Sequence, residues 1–440
     1  LVLSAQICCT KSLFALALSI NNHARMLLAK QLAKRFKSPV AGFSREVQVV
    51  IIASFFVALG FGIVFPAIPV FVKSFGVNNT AVGLVVSAFA IARFTSGMIS
   101  GRFVDRFGER NVYSFGVFMV SFFTVLAGLA QNYPQLLTFR AAGGLGSSMF
   151  SVASSSLIFR ATDDAHRARA LSAFQGSFLI GGITGPAVGG ALATISLRAP
   201  FFAYAFMLAV AGIIGYIYLG RAEAAKGESK AKPQDPITLK EAMRIPAYRI
   251  ALTLSFLTGW AFYGMRSSIL PVFVTESLHS TAAVVGYGFA IGALCQGLML
   301  IKAGKASDTK GRKFVILLGG SIFLAGIIGL TFSVHVWMFL VSMIILGIGG
   351  AYLTTAPGAI VGDVIKGRGG KVIGVFQMAG DGGMIVGPIV VGAISDLYSY
   401  RAAFGASAVI FSLVLILGSR LPETRKMAGS HEPTISPNDN

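Results

Sequence analysis

Four ionisable residues stand inside long apolar stretches of this chain, where a charge is costly. They are Asp381, Arg93, Arg140 and Arg266. A charged side chain at the centre of an apolar helix costs about 2.5–3.5 kcal/mol on insertion scales, so such residues usually have a function. A carboxyl group can take up and release a proton, and a guanidinium group can hold an anion. We expect Asp381 to exchange a proton and count the three arginines as candidates for the same site.

Each of the four residues also has a structural alternative. An arginine can tie two helices together through backbone carbonyl groups, and Asp381 can pair with Arg93 or Arg140 to fix helix packing. The other candidates for this site are polar or aromatic residues of the apolar stretches: Gln296, Trp260 and Tyr263. For the aromatic residues the alternative is packing against lipid or against other helices.

The elements that must position these residues are helices in a membrane. The mean hydropathy is +0.75, and 12% of the residues are charged, whereas a soluble domain carries about 25%. The net charge is +20, and the charged residues stand in short blocks between apolar stretches. This pattern favours a membrane topology signal over nucleic-acid binding. The three cysteines, Cys8, Cys9 and Cys295, have no metal-ligand or disulfide spacing.

Twelve apolar stretches are long enough to cross a bilayer, which takes about 20 residues of helix. Each stretch is too long for a strand, and its backbone must satisfy its own hydrogen bonds, so helices follow. We number these stretches as spans 1 to 12: 47–73, 81–101, 111–131, 135–159, 168–195, 199–219, 248–274, 281–301, 313–333, 336–362, 371–395 and 401–419. The predicted fold class is an all-α membrane protein.

Lysine and arginine are distributed unequally between the two sides of these spans. The tails, the 220–249 stretch and the loops after spans 2, 4, 8 and 10 hold 31 of them, and the opposite loops hold three, Lys73, Arg198 and Arg401. Positively charged loops stay on the cytoplasmic side. The asymmetry therefore predicts a multi-pass protein of the plasma membrane with both termini in the cytoplasm.

One polar stretch divides the chain into two six-helix bundles. The predicted division is a cytoplasmic tail at 1–46, a bundle at 47–219, a cytoplasmic linker at 220–247, a bundle at 248–419 and a cytoplasmic tail at 420–440. The end of the linker, ITLKEAMRI before Pro246, is predicted to be a short surface helix. Residues 1–25 contain an apolar patch too short to span. We expect either that Met26 is the physiological start or that the sequence is a fragment.

The two bundles repeat one another in sequence. GRFVDRFGER (101–110) matches GKASDTKGRK (304–313), and FQGSFLIGGITGPAVGGAL (174–192) matches FQMAGDGGMIVGPIVVGAI (376–394) at nine of 19 positions. Each match falls at the same place within its half, so the halves should share one fold and one orientation. The repeat partners of three candidate charges are uncharged: Leu179 for Asp381, Gln296 for Arg93 and Met343 for Arg140. The shared fold therefore does not require an acid at position 381.

Two parallel six-helix repeats joined by a cytoplasmic linker resemble the major facilitator superfamily, over residues 47–420. GRFVDRFGER resembles the signature after the second helix of that superfamily, and GKASDTKGRK its copy after the eighth. RAAGGLGSS (140–148) resembles the fourth-helix motif, GGITGPAVGG (181–190) the Gly-Pro motif of proton-driven exporters, and LGFGIVFPAIP (59–69) the first-helix motif of the twelve-span drug:proton antiporter branch. Two features depart from that branch: span 1 contains no acid, and LPETR (421–425) is reminiscent of sugar porters.

Residues 101–110 and 304–313 are predicted to be cytoplasmic turns. Glycine permits a sharp turn, and Asp105 can accept hydrogen bonds from a helix N-terminus and pair with an arginine across the seam between the halves. The resemblance implies a latch that closes the cytoplasmic side, and the alternative is a topology signal alone. The predicted gate residues are Gly101, Asp105, Arg106, Gly108, Arg110, Gly304, Asp308, Gly311 and Arg312.

A Gly-Pro element recurs in spans 5 and 11. Proline removes a backbone hydrogen bond and clashes with the preceding helical turn, so the element is predicted to be a bending point or a tight seam. The alternative is ordinary glycine packing. The residues concerned are Gly185, Pro186, Gly189, Gly190, Gly387 and Pro388.

The resemblance implies a secondary active transporter that works by alternating access about a central site. Its branch implies proton-coupled efflux of small organic compounds or drugs, and the alternative is proton-coupled uptake of a metabolite such as a sugar or an organic anion. We expect a monomer in the lipid bilayer that binds a small-molecule substrate and protons, without nucleic acid, cofactor or metal. A single acid within the spans does not suit a membrane-embedded enzyme, so no enzymatic activity is expected.

Overall fold

The computed structural model describes residues 43–162, 164–219, 238–365 and 370–423. The predicted start at Met26 and most of the N-terminal tail lie outside the described residues, as do residues 220–237 of the linker and 424–440 of the C-terminal tail. Helices account for nearly all of the described residues, and no strand occurs among them.

The helices follow the predicted spans in both halves. In the first half, span 1 is Arg45–Val64 continued by Ala67–Lys73, and spans 2 to 6 are Asn79–Phe107, Glu109–Leu129, Tyr133–Ala161, Asp164–Ile195 and Ala199–Tyr218. In the second half, span 7 is Pro246–Gly259, a π-helical segment Trp260–Ile269 and Leu270–Glu276, and spans 8 to 12 are Ala282–Lys310, Arg312–Thr331, Val336–Ile365, Gly370–Leu397 and Tyr400–Ser419. The predicted architecture of twelve helices in two bundles is confirmed.

Ten of the described helices are long and apolar enough to cross a membrane, with the two segments of span 1 counted as one. The other two spans miss this criterion for different reasons. Span 4 is 29 residues long, but many of them are serine and glycine. Span 7 is divided into three consecutive helical segments.

The predicted turn at 101–110 is much shorter than expected. Span 2 continues as helix through Phe107 and the next helix begins at Glu109, so the break is the single residue Gly108. The φ of Gly108 is 79°, which lies in the left-handed region that favours glycine. Gly101 stands inside the helix and takes no part in the turn, which corrects its predicted role there.

The repeated turn at 304–313 has the same form. Gly311, with a φ of 95°, separates the helices that end at Lys310 and begin at Arg312. Gly304, like its repeat partner Gly101, is helical. Only one glycine of each signature is therefore needed for the chain reversal.

The short helix predicted at the end of the linker is present as Leu239–Arg244. Its N-terminus is a capping box: the Thr238 N–H donates to Glu241 Oε2 at 2.9 Å, and the Glu241 N–H donates to Thr238 Oγ1 at 3.3 Å. Such reciprocal bonds satisfy two otherwise free donors of the first turn. The hydrogen bond from the Thr238 backbone holds the pKa of the Glu241 carboxyl below its usual value.

The two halves pack by the same pattern. In the first half span 1 contacts spans 5 and 6, span 2 contacts span 4, and span 3 contacts spans 4 and 6. The corresponding pairs of the second half are spans 7 and 11, 7 and 12, 8 and 10, 9 and 10, and 9 and 12. Each half has its own core of buried apolar side chains, and the halves meet mainly where span 2 packs on span 11 and span 5 on span 8.

The span ends define two faces of the molecule. The basic face carries the helix ends near residues 45, 108, 162, 218, 246, 311 and 419, and the opposite face carries those near 76, 131, 197, 279, 334 and 398.

Candidate functional site

A central cavity of about 550 Å³ lies between the two halves. Spans 1, 2 and 5 line it from one side and spans 7, 8, 10 and 11 from the other. Five of the seven predicted site residues face it: Asp381, Arg93, Arg266, Gln296 and Tyr263. The rest of the lining is largely apolar and includes the rings of Phe61, Phe65, Phe178, Phe262, Phe289 and Phe376.

Asp381 is the one acidic residue among the described residues of the lining. It comes from span 11 and is partly buried. The positive charge of Arg93, on span 2 of the other half, acts electrostatically on its carboxylate. The acid and the base therefore belong to different halves, so a change in the spacing of the halves changes their interaction.

Arg266 lies on the π-helical segment of span 7 and is 8% exposed. Its guanidinium carbon is 5.0 Å from the ring centroid of Phe289 and 5.5 Å from that of Phe262. Both distances suit cation–π contacts. Its Nε has no hydrogen-bond partner among the described residues.

Arg140 lies outside the lining of the central cavity. It is 5% exposed and borders a separate space of about 10 Å³. Its guanidinium carbon lies 4.6 Å from the ring centroid of Phe89, and its Nε also lacks a partner among the described residues. Phe61 and Phe65 line both spaces and so stand between Arg140 and the cavity.

The two buried guanidinium groups occupy related places in the two halves. Arg140 stacks on Phe89, whose repeat partner is Gly292. A Cβ on Gly292 would lie 3.5 Å from Nη2 of Arg266 and 2.9 Å from the carbonyl oxygen of Met343, the repeat partner of Arg140. In the second half, span 7 thus brings the guanidinium of Arg266 to the place that Arg140 of span 4 occupies in the first half.

Trp260 also lies outside the cavity lining. It is 5% exposed, and its Nε1–H donates to Ser407 Oγ of span 12 at 3.4 Å. Phe262, two residues further along the π-helical segment, lines the cavity instead. The sequence predicted that the aromatic residues of span 7 lie together. A π-helix turns through fewer degrees per residue than an α-helix, so these residues point to different faces of the segment.

The predicted gate residues contact their own halves in this conformation. Arg110 donates from Nε to the carbonyl oxygen of Tyr216 at 3.0 Å, and Arg312 donates to Asp308 at 2.8 Å and to Asp363 at 3.1 Å. The side chains of Asp105 and Arg106 are exposed. A Cβ added at Gly101 or at Gly304 would meet no described atom within 4 Å.

The Gly-Pro elements stand at close helix contacts. Gly185 packs on Gly62 of span 1, and Gly189 packs against the backbone of Ile63. Gly190 faces Gly286 of the other half, where a Cβ would be 2.9 Å from its Cα. Pro186 lies within the unbroken helix of span 5 and lines the cavity.

The second Gly-Pro element, Gly387-Pro388 of span 11, occupies the equivalent position in the second half. A Cβ on Gly387 would be 3.0 Å from the Cα of Gly264 in span 7. The Pro388 carbonyl faces Gly83 of span 2, across the seam. Both elements thus take part in contacts within a half and between the halves.

A polar cluster that sequence reasoning missed joins the halves at the opposite face. Asp396 of span 11 accepts hydrogen bonds at the N-terminus of span 2, from the Asn79 N–H at 2.8 Å and from the Thr80 N–H at 2.7 Å. The Thr80 hydroxyl adds a third bond at 2.6 Å. A signal was available, because the repeat partner of Asp396 is the uncharged Thr194.

Further polar contacts extend this cluster. The Tyr400 hydroxyl contacts Glu276 Oε2 at 2.6 Å and Asn79 Oδ1 at 3.2 Å, and Lys73 pairs with Glu276 at 3.2 Å. The first half contributes Lys73, Asn79 and Thr80, and the second contributes Glu276, Asp396 and Tyr400. The cluster therefore closes the opposite face.

The seam is looser toward the basic face. Among the described residues, an added Cβ would meet nothing within 4 Å at glycines of this region in five spans: Gly97, Gly176, Gly358, Gly362, Gly374 and the signature glycines of spans 2 and 8. By contrast, Gly83 and Gly190, nearer the opposite face, touch backbone of the other half. The described conformation is closed at the opposite face.

Comparisons with known proteins agree with this architecture. The sequence model of the Major Facilitator Superfamily matches residues 50–273 and 263–435. Multidrug resistance protein 1 of Bacillus subtilis (strain 168) is 25% identical over 383 residues, which cover 85% of this chain and 96% of that protein. Quinolone resistance protein NorA of Staphylococcus aureus (strain COL) is 24% identical over 377 residues, with coverage of 85% and 96%.

A solved structure has the same fold. It is a bacterial homolog of the human lysosomal transporter Spinster in an inward-facing and unoccupied conformation. The TM-score is 0.72 at 15% sequence identity, and the match covers 90% of this chain and 99% of that one. At this identity the likeness concerns the fold alone.

Proposed function

Because the chain belongs to the Major Facilitator Superfamily and is therefore a membrane transporter of small molecules, we propose that it exports small organic compounds in exchange for protons. Transport proceeds by alternating access, in which the two halves rock about the central cavity. Like its relatives, the protein is a transporter and not an enzyme. The names of two relatives, a multidrug and a quinolone resistance protein, support efflux as the direction.

The observation that carries the proposal is the position of Asp381. It is the acid of the cavity lining, and it faces the charge of Arg93 across the seam. Asp381 and Arg93 belong to different halves, so a movement of the halves changes both the attraction between the two charges and the exposure of the carboxyl group to water. A conformational change thus alters proton affinity, and this is the link that coupled exchange requires.

The two faces supply the alternating barriers of this cycle. In the described conformation the cluster around Asp396 closes the opposite face. In the other conformation Asp308 would leave its present partner Arg312, and the gate residues, led by Asp105 and Asp308, would bridge the halves at the basic face. With the basic face in the cytoplasm, Asp381 binds a proton from outside, releases it inside, and substrate leaves in the other direction. We propose that a single chain in the plasma membrane performs this cycle.

The test uses purified protein in lipid vesicles with an imposed pH gradient. Wild-type protein should move a resistance-type organic compound against its concentration gradient, and Asp381→Asn should reduce gradient-driven transport to the level of empty vesicles. Counterflow, the exchange of labelled for unlabelled substrate without a gradient, should survive in Asp381→Asn and shows that the variant is folded. Full gradient-driven transport by Asp381→Asn would remove this residue from the mechanism.

A second candidate function is proton-coupled uptake of a metabolite such as a sugar or an organic anion. The observation in its favour is that two guanidinium groups, of Arg93 and Arg266, face the cavity against one carboxylate. The direction of net movement separates the two functions. Substrate that moves in the same direction as the protons and accumulates on the side to which they flow indicates uptake. Substrate that moves against the protons and accumulates on the side from which they come indicates export.

A further inference from the structure

Arg266 is a buried charge that proton exchange at Asp381 does not use. It is 8% exposed and lines the central cavity. Its Nε has no hydrogen-bond partner among the described residues. Leaving a buried charge unpaired is strongly unfavourable, so a negative group of a ligand in the cavity would gain by pairing with this guanidinium.

No described carboxylate lies within ion-pair distance of Arg266. The acid of the lining, Asp381, has Arg93 as its electrostatic partner. Span 10, the neighbour beyond Gly292, presents Met343 at the equivalent place. Among the described residues, the lining holds two guanidinium groups and one carboxyl group, so positive charge is in excess there.

The surroundings of Arg266 favour a planar anion with an apolar body. Phe262 and Phe289 lie at cation–π distance from the guanidinium, and the Nε of the group has no hydrogen-bond partner among the described residues. An arginine edge matches the two oxygens of a carboxylate or sulfonate group. The remaining wall is rich in phenylalanine and can enclose an aromatic or aliphatic body.

The size of the cavity agrees with such a ligand. Its volume of about 550 Å³ lies within the range of about 300–1,000 Å³ that is usual for small-molecule sites. The uncharged polar side chains of the lining are Ser255, Thr258, Tyr263, Gln296 and Thr354. They are few beside the apolar residues and give the lining limited capacity for a strongly hydrated sugar.

We propose that Arg266 anchors the negative group of an amphipathic organic anion, and that this class of compound is the substrate of the central cavity. The inference rests on the proposed function only in taking the cavity as the substrate site. It names a substrate class and a specificity-determining residue, and it is independent of proton coupling and of transport direction.

Binding to the purified wild-type protein in detergent tests the proposal without any gradient. Three probes share one ring system and differ in charge: 2-naphthoate, neutral 2-naphthamide and cationic 2-naphthylmethylammonium. We expect 2-naphthoate to bind about tenfold or more tightly than the amide, because a charge-assisted bond to a buried guanidinium is strong, and the cation to bind most weakly.

Variants then assign the effect to one side chain. Arg266→Gln should remove the preference for 2-naphthoate and leave the affinity for 2-naphthamide nearly unchanged. Arg266→Lys, which keeps the charge but loses the planar fork, should retain part of the preference. The matched control is Arg249→Gln, the same replacement at an exposed position of span 7, which should behave as wild type.

Two results would overturn the proposal. One is wild-type protein that binds 2-naphthoate no more tightly than 2-naphthamide, a result that needs no folded variant. The other is an Arg266→Gln protein that keeps the full preference. Failure of proton-driven transport in vesicles leaves both readouts intact, so the two proposals can fail separately.

Discussion

Asp381 faces the cavity because the residues beside it in span 11 have no side chains and let the helix pack closely on its other face. Residues 380, 382 and 383 are glycines. Gly380 and Gly383 press against the backbone of span 7 at Gly259 and Phe256, which is possible only without side chains. Tight packing on one face of the helix thus fixes the direction of the carboxylate on the other.

Single glycines on the seam control how closely the halves approach. Gly83 of span 2 lies against the carbonyl of Pro388 in span 11, and backbone cannot rotate away as a side chain can. We expect Gly83→Val to disfavour the described conformation by about 1–3 kcal/mol, the usual cost of overpacking. The measurement is labelling from the opposite face of a cysteine introduced at Ser87, which is 0% exposed, and labelling should accelerate.

The control for this prediction is Gly97→Val in the same span. A Cβ on Gly97 would meet nothing within 4 Å in the part of the chain that the structure describes, so the variant should label at Ser87→Cys as slowly as the parent protein. Equal acceleration by both variants would show that the effect comes from the helix and not from the seam.

The π-helical segment of span 7 decides which residues reach the cavity. It runs from Trp260 to Ile269 and sends Tyr263 and Arg266 to the lining, while Trp260 bonds to span 12. A π-helix has a wider turn than an α-helix and is frequent at functional sites. The α-helical periodicity on which a sequence-based assignment of faces depends does not hold in this segment.

The N-terminus of span 2 is capped twice, once by its own half and once by the other. Asn78 accepts from the Ala81 N–H at 3.0 Å, and Asp396 accepts from the N–H groups of Asn79 and Thr80 at 2.8 and 2.7 Å. A carboxylate at a helix N-terminus is stabilised by the free donors and the helix dipole. This contact exists only while the opposite face is closed, so it favours that conformation.

We expect Asp396→Asn to shift the equilibrium toward opening of the opposite face. Loss of the charge should cost about 1–2 kcal/mol, which corresponds to about a 5–30-fold change in the ratio of the two conformations. Faster labelling of Ser87→Cys from the opposite face reports the shift. Asn78→Ala is the matched control, because it removes a cap from the same helix without touching the other half, and its labelling rate should stay that of the parent.

The two halves pack in the same way, but in one ion pair the acidic and the basic residue have changed places between the two helices. Arg160 at the end of span 4 pairs with Glu109 at 3.2 Å, and at the repeat-related positions Arg312 pairs with Asp363 at 3.1 Å. In both cases the pair joins the third and fourth helices of its half at the basic face. Attraction is the same whichever helix carries the positive charge, so the duplicated fold tolerates the exchange.

The whole molecule should be inserted with its basic face in the cytoplasm. The imbalance of lysine and arginine predicts this orientation, and single cysteines in a chain without its native three can test it. In intact cells a membrane-impermeant maleimide should label Val334→Cys, at an exposed residue of the opposite face. Lys240→Cys, on the surface helix of the basic face, should react only after permeabilisation. The reverse pattern would invert the proposed direction of proton movement.

Features that depend on local sequence could be predicted. Twelve helices follow from the length of the apolar stretches, because a backbone in lipid must satisfy its own hydrogen bonds. The turn glycines Gly108 and Gly311 follow from the repeat, and the presence of charges at 93, 266 and 381 marked the cavity. Each of these signals is carried by residues close together in the chain or by the comparison of its two halves.

The remaining features depend on contacts between distant segments. Nothing in the chain near Asp396 shows that it caps span 2, more than 300 residues away. Arg140 and Arg266 look alike in sequence, yet only Arg266 lines the cavity, because Phe61 and Phe65 shield Arg140 and a π-helical segment turns Arg266 inward. Side-chain direction in a packed bundle is set by helix rotation and by close backbone contacts, and both arise only when the two halves are assembled.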